Sequence, residues 1–314
     1  MKKLAVLHHR HLDWVPALQK AEPRLDIKGW HPKDWEIADG AWLAEAEGLF
    51  CWKLPEGFAA RMPKLAWVQN SGAGVDHLVH HPELPETVPI TRADGAFGYW
   101  MARYTVAHLL MEAERMWECA EAQTTSTWNP KLLPEDLTGR AALVVGFGRI
   151  GRQIGRALRE LGMEVKGLAR TPRSDPEFEL LGLADLPELL PKARALILAA
   201  PLTDTTRNLV DADLLAHGHS HLTLINVGRG ELVVEEDVLA ALDAGRLGRA
   251  VLDVFIEEPL PSTSPLWRHP KVVVTPHHAG PSVPGHLIPD ILPNLRAFAE
   301  GRPIQNAVDR AKGY

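Results

Sequence analysis

Three ionisable residues stand at or just beyond the ends of apolar runs late in the chain. Arg229 lies in Ile225-Asn226-Val227-Gly228-Arg229-Gly230, Glu258 in Leu252-Asp253-Val254-Phe255-Ile256-Glu257-Glu258-Pro259, and His277 in Thr275-Pro276-His277-His278-Ala279-Gly280. Singly, each has a plain explanation: a loop salt bridge, a helix-start acid, a loop histidine. Together, in this order, they suit the reduction of a carbonyl beside a carboxylate. A guanidinium clamps a carboxylate bidentately and polarises the neighbouring carbonyl. An imidazole donates the proton that the carbonyl oxygen must gain, and a carboxylate beside it orients the ring and favours its charged form. The pattern predicts Arg229 as clamp, His277 as proton donor and Glu258 as the partner of His277.

Such a reduction needs a hydride source. Val144-Val145-Gly146-Phe147-Gly148-Arg149-Ile150-Gly151 is a G-x-G-x-x-G that follows an apolar strand and opens a helix. Gly146 permits the tight turn, Gly148 the approach of backbone to a pyrophosphate, and Gly151 close helix–strand packing. Amides at the helix start, around Arg149 and Ile150, and the positive end of the helix dipole would hold the phosphates. The next strand ends in Leu168-Ala169-Arg170-Thr171-Pro172-Arg173, with no carboxylate for a ribose 2′-hydroxyl. Arg170 and Arg173 can instead pair with a 2′-phosphate and Thr171 can add a hydroxyl, so the cofactor expected is NADP, with NAD the weaker choice. One charge-assisted contact of this kind, at ~1.5–3 kcal/mol, is enough to decide that choice.

The elements that must carry these residues are legible as short apolar runs alternating with helical patterns, the signature of parallel sheets wound with helices. The early runs are Leu4–Leu7, Gly48–Trp52, Leu65–Gln69 and, more weakly, Val88–Thr91. The later ones are Ala141–Val145, Met163–Leu168, Ala195–Ala199, Thr223–Val227, Ala250–Val254 and Val272–Thr275. One long amphipathic stretch covers Tyr99–Ala122, followed by a polar linker, Thr124–Asp136. Val283–Glu300 reads as a helix that Pro284, Pro289 and Pro293 should kink or break into pieces. The expected fold is α/β, with two doubly wound parallel-sheet domains. A Rossmann cofactor domain, residues 99–280, is inserted into a flavodoxin-like substrate domain, residues 1–98 and 281–314.

Composition narrows the classes of partner. With 314 residues, 46% of them apolar and 24% charged, the chain is long enough for two cores and unlike a disordered, collagenous or coiled-coil protein. A net charge of −6 offers nothing to nucleic acid or to an anionic membrane surface. No apolar run approaches the ~18 residues of a membrane span, and the four apolar residues before His8 fall short of the roughly 7 of a signal peptide. Two cysteines cannot frame a disulfide scaffold, so a cytoplasmic location is expected, with Cys51 and Cys119 buried and inert. His8-His9-Arg10-His11 and His217-Gly218-His219-Ser220-His221 lack cysteine or carboxylate partners at a familiar spacing, and no metal is expected. Glu235-Glu236-Asp237 reads as a helix start.

Across nearly its whole length the chain resembles the D-isomer-specific 2-hydroxyacid dehydrogenases. The segments INVGRG, LDVFIEEP and TPHHAG resemble the family's arginine, glutamate and histidine motifs. Ser71-Gly72-Ala73-Gly74-Val75-Asp76 is similar to the loop whose amides bind the substrate carboxylate, which implies Ala73 and Gly74. The resemblance also assigns to the cofactor Pro201 and Thr206 of the PLT segment, Val227, Asp253 as acceptor for the nicotinamide carboxamide, and Gly280. Within the family the likeness is to the glyoxylate/hydroxypyruvate reductase A type. It is carried by Glu258-Pro259-Leu260-Pro261, by Ser264-Pro265-Leu266-Trp267-Arg268-His269-Pro270, by the basic loop after the second strand, and by Val308–Tyr314. That type implies NADPH-dependent reduction of small 2-oxoacids to D-2-hydroxyacids by a homodimer, and places Trp52 as a size limit in the pocket. Met101 and Arg103 align with its cofactor-facing helix start. Two departures stand out: His278 where the family often has an apolar residue, and Gly280-Pro281-Ser282-Val283-Pro284-Gly285-His286 ahead of the last helix. The alternatives are a broader 2-ketoacid reductase, a 3-phosphoglycerate dehydrogenase-like enzyme, which the missing acid disfavours, and a nucleotide-sensing interaction protein on the same fold.

Overall fold

The computed structural model describes every residue except Asp94, Ala96, Lys312 and Tyr314, the last two within the C-terminal segment used above. The chain divides into two compact units, Met1–Phe97 with Pro281–Tyr314, and Gly98–Gly280, so the first crossing falls one residue before the expected boundary.

The strands of the first unit are β1 (Lys3–Leu7), β2 (Asp26–Trp30), β3 (Gly48–Cys51), β4 (Trp67–Asn70) and β5 (Ile90–Thr91). All pair in parallel, in the order β2-β1-β3-β4-β5. Its helices are α1 (His11–Ala21), α2 (Gly40–Ala44) and α3 (Asp76–Val79). β1 and β3 are buried on both faces, which is why they read as unbroken apolar runs. β2 was not expected. It is an edge strand, DIKGW, with only Ile27 buried, so apolar continuity does not mark it.

The second unit begins within α4 (Phe97–Ala113) and continues through α5 (Met116–Thr124). The single stretch expected over Tyr99–Ala122 is therefore two helices, divided where Arg115 takes the left-handed conformation, φ +55°. There follow β6 (Ala141–Val145), α6 (Arg149–Glu160), β7 (Glu164–Ala169), β8 (Glu179–Gly182), α7 (Leu186–Leu189), β9 (Ala193–Leu198), α8 (Ala212–Leu215), β10 (His219–Asn226), α9 (Glu235–Asp243), β11 (Leu247–Leu252) and β12 (Val272–Val274). The sheet order is β12-β11-β10-β9-β6-β7-β8, all parallel. The order reverses between β6 and β9, the crevice where open sheets of this kind bind dinucleotides. Two apolar layers cover the faces of this sheet, one around Leu143, Leu196 and Leu224, the other around Val144, Ile197 and Ile225. β8, an unexpected edge strand, lies at one end.

The last helix, α10 (Pro284–Glu300), belongs to the first unit and is not broken into pieces. Leu287, Ile291, Leu295 and Phe298 form its buried stripe, while Pro289 and Pro293 both lie on the exposed face. Each proline removes one backbone donor, but the carbonyls freed on that face remain open to water, and the buried stripe holds the helix together. Cys51 is buried as expected, whereas Cys119 is exposed because α5 buries none of its residues.

Candidate active site

β6 ends at Val145, and Gly146 turns the chain with φ +89°, donating its amide to Leu168 O at 2.9 Å. A Cβ there would lie 2.4 Å from Ala200 Cα, so the turn presses against the end of β9 at the switch point. A Cβ on Gly151 would lie 2.2 Å from Gly146 O, which forbids any side chain at that position. Gly148 is different: nothing stands within 4 Å of its Cβ position, and as the residue before α6 it brings no side chain to cap the first-turn amides. An open approach to uncapped amides at the switch point fits a dinucleotide pyrophosphate. Arg149 is exposed, Ile150 half-buried and Gly151 buried on this first turn.

Arg170, Thr171 and Arg173 occupy the exposed loop after β7. Arg173 Nη2 donates to Phe147 O at 3.2 Å, tethering this loop to the glycine turn. The nearest carboxylate along the chain, Asp175, is taken by Arg152 (Nη1–Oδ1 3.0 Å) and by the amides of Glu177 and Phe178. The Arg152 guanidinium, with those amides, holds its carboxyl well below the usual range. Asp175 is thereby committed to Arg152 of α6 and to the amides of its own loop, and the arginines remain the groups suited to a 2′-substituent.

Beyond β9, the buried Thr206 donates to Pro201 O at 2.7 Å and accepts from the Thr203 amide at 2.8 Å, pinning the Pro201–Thr206 loop. Beyond β10, Val227 donates to Leu198 O at 3.0 Å and stays buried, and Arg229 Nη1 donates to Gly228 O at 2.9 Å. Sequence reasoning overlooked Asn226, which is fully buried. Its carboxamide accepts from the Gly228 amide (3.1 Å) and donates to Arg229 O (2.8 Å), shaping the Arg229 loop from both ends. The one available signal was an amide side chain directly after Leu222-Thr223-Leu224-Ile225, the buried part of β10. A Cβ on Gly230 would lie 2.0 Å from Phe255 C, so the Arg229 loop rests directly on the backbone that follows β11.

Glu258 lies in that segment. Its Oε1 accepts from the Phe255 amide (3.1 Å) and its Oε2 accepts from His277 Nδ1 (2.9 Å), both side chains about one-third exposed. His277 itself has φ +50°, a left-handed conformation costing a non-glycine residue about 1–2 kcal/mol. Asp253, 1% exposed, compensates: it accepts from Thr275 Oγ1 (2.6 Å) and the His278 amide (2.9 Å) on Oδ1, and from the Ala279 amide (2.9 Å) on Oδ2. Gly280 closes this loop and the unit. The second unit thus gathers Glu258, His277 and Asp253 into one bonded group, with the Arg229 loop packed on the same backbone.

Trp52, Ala73 and Gly74 belong to the first unit. Asn70 Nδ2 donates to the carbonyls of Gly72 (3.1 Å) and Gly74 (2.7 Å), so a second buried asparagine at a strand end shapes the loop. Trp52 lies over it: a Cβ on Gly72 would be 2.0 Å from the indole. His77 packs on the same ring at 4.8 Å between centroids and bonds Trp52 O. Trp52 is therefore half-buried against the loop rather than a core residue. His8, a member of the first histidine cluster, is buried with Nδ1 accepting from the Arg10 amide at 3.0 Å, and burial pushes its pKa down to about 3. Among the described residues no three His, Cys, Asp or Glu side chains are grouped to hold a metal, and no helix is long and apolar enough to cross a membrane.

A doubly wound sheet with a dinucleotide turn at its switch point and a histidine–carboxylate pair beyond its late strands defines a dinucleotide-dependent oxidoreductase. Residues 106–279 match the family model of the D-isomer specific 2-hydroxyacid dehydrogenase NAD-binding domain. The chain belongs to the D-isomer specific 2-hydroxyacid dehydrogenase family. Glyoxylate/hydroxypyruvate reductase A of Yersinia enterocolitica is 33% identical over 308 residues, 96% of each chain. In structure, a D-isomer specific 2-hydroxyacid dehydrogenase from Xanthobacter autotrophicus, solved with NADPH and MES, is 36% identical with a TM-score of 0.88 over 99% of each chain. An NADPH-dependent glyoxylate/hydroxypyruvate reductase from Sinorhizobium meliloti, solved with NADP and sulfate, is 30% identical with a TM-score of 0.88 over 100% of each chain.

Proposed function

We propose that the chain is an NADPH-dependent reductase of small 2-oxoacids, glyoxylate and hydroxypyruvate, yielding D-2-hydroxyacids. The observation that carries this reading is the 2.9 Å bond between His277 Nδ1 and Glu258 Oε2, which sets the imidazole to present Nε2 to a substrate oxygen. NADPH, when bound, supplies the hydride. Arg229 holds the substrate carboxylate and polarises the adjacent carbonyl. His277 gives the proton from Nε2 to the carbonyl oxygen, and the resulting neutral ring keeps its Nδ1 proton, still donated to Glu258 Oε2. The amides of Ala73 and Gly74 add to the carboxylate site, and Trp52 limits substrate size. Gly146, Gly148 and Gly151 with the first-turn amides of α6 hold the pyrophosphate, and Arg170, Thr171 and Arg173 hold the 2′-phosphate. The dehydrogenase relative solved with NADPH and the reductase relative solved with NADP support the cofactor. The same reading extends to a homodimer in the cytoplasm.

Initial rates of NADPH and NADH oxidation with glyoxylate, hydroxypyruvate, pyruvate and phenylpyruvate test this function. Fast turnover is expected with NADPH and the two smallest polar acids. Preference for phenylpyruvate would replace it with a broader 2-ketoacid reductase, and tight NADPH binding without turnover would replace it with a nucleotide sensor.

A further inference from the structure

His278, the departure from the family pattern beside the catalytic histidine, packs edge-on against Tyr104 of α4, with centroids 5.8 Å apart at 80°. His108, one turn along the same helix, flanks Tyr104 at 4.4 Å. The Tyr104 hydroxyl meets Thr275 Oγ1 at 2.7 Å, and Thr275 Oγ1 meets Asp253 Oδ1 at 2.6 Å. The direction of this chain follows from the donors available. A carboxylate only accepts, so the single hydroxyl hydrogen of Thr275 goes to Asp253. Thr275 Oγ1 then has only lone pairs to offer, and Tyr104 must be the donor. Burial pushes the Tyr104 phenol above its ordinary pKa, which keeps that proton in place.

We propose that Tyr104 is a positioning residue for His277, acting through Thr275 and Asp253. The relay fixes the Asp253 carboxylate by a third hydrogen bond in addition to the amides of His278 and Ala279. Those two amides set the path of the chain immediately after His277, whose left-handed backbone would otherwise relax. His278 serves as the cover of Tyr104, on the helix that opens this unit. The catalytic consequence rests on His277 being the proton donor, while the structural relay does not.

The test pairs hydrogen exchange of the His278–Ala279 amides in the chain alone with steady-state kinetics on glyoxylate and NADPH. Tyr104→Phe keeps the ring and deletes the donor; it is expected to speed exchange at those amides and to lower kcat about tenfold, with KM little changed. Thr275→Val should do at least as much, and Thr275→Ser, which keeps the hydroxyl, should recover most of the loss. Tyr104→Phe combined with Thr275→Val should match Thr275→Val alone, since both cut one chain. Unchanged exchange in Tyr104→Phe overturns the relay, as do additive losses in the double variant. Faster exchange with undiminished kcat overturns its catalytic role. Faster exchange in a protein whose unmodified form reduces no 2-oxoacid leaves the relay standing and removes the reductase reading instead.

Discussion

Asp253 holds His277 in place from three directions without touching its ring. Its carbonyl accepts from the His277 amide at 2.9 Å, and its carboxylate accepts from the two amides that follow, each at 2.9 Å. Three successive amides pointing at one residue over-determine the left-handed turn, so the imidazole reaches Glu258 from a backbone that an unsupported loop would leave.

Because the ring and its partner act as a unit, their removal should separate chemistry from binding. His277→Ala is expected to lower kcat by ~10²–10⁴ while NADPH affinity stays within a few-fold. Glu258→Gln, which keeps the shape and loses the charge, should fall between that variant and the unmodified protein. Stopped-flow turnover with fluorescence titration of NADPH measures both; near-normal kcat in His277→Ala would reject its role.

The two arginines after β7 make separate predictions. Arg173 ties its loop to Phe147 O inside the glycine turn, which any dinucleotide uses. Arg170→Ala should weaken NADPH by ~10- to 150-fold, the worth of one charge-assisted contact to a 2′-phosphate, and leave NADH, which has no such phosphate, nearly unaffected. Arg173→Ala should weaken both, NADPH more. Equal losses for the two cofactors in Arg170→Ala would argue against a 2′-phosphate contact.

Gly72 leaves no room for a side chain beneath Trp52. Gly72→Ala must push the indole off the loop, and the discrimination between glyoxylate and phenylpyruvate in kcat/KM should shrink at least tenfold, within the ~1–3 kcal/mol that pocket shape commands. An unchanged ratio would mean that Trp52 sets no size limit.

His8 makes stability fall in acid. In the folded chain it stays neutral down to a pH of about 3, whereas the unfolded chain takes up its proton near 6.5. Acid thus favours the unfolded state: the contribution is intact above pH 6.5 and is lost progressively as pH falls towards 3. Between pH 7.5 and 5.0 this single group should cost about 2 kcal/mol. His8→Asn, which keeps an acceptor for the Arg10 amide, should lose correspondingly less over that interval in urea unfolding. Parallel pH curves for the two proteins would contradict this.

The local features of this protein were determined by sequence alone. Doubly buried strands such as β1, β6 and β9 are continuous apolar runs because both faces are covered, and the glycine turn is legible because its backbone tolerates nothing else. The order of Arg229, Glu258 and His277 points to the proposed chemistry for a related reason: few other residue types could do it. What only the tertiary structure decided are relations between distant segments. Edge strands β2 and β8 lack the apolar continuity that marks a strand covered on both faces. The two interior prolines of α10, Pro289 and Pro293, are tolerated because both fall on its exposed face, a matter of helix phase against the sheet. Asn226, Asn70, Thr275 and Tyr104 carry no motif, since a hydrogen-bonding side chain acquires its meaning from whichever backbone or hydroxyl folding brings to it. That Asp253 supports His277 follows from β11 and β12 lying side by side, a pairing that no local stretch of sequence contains.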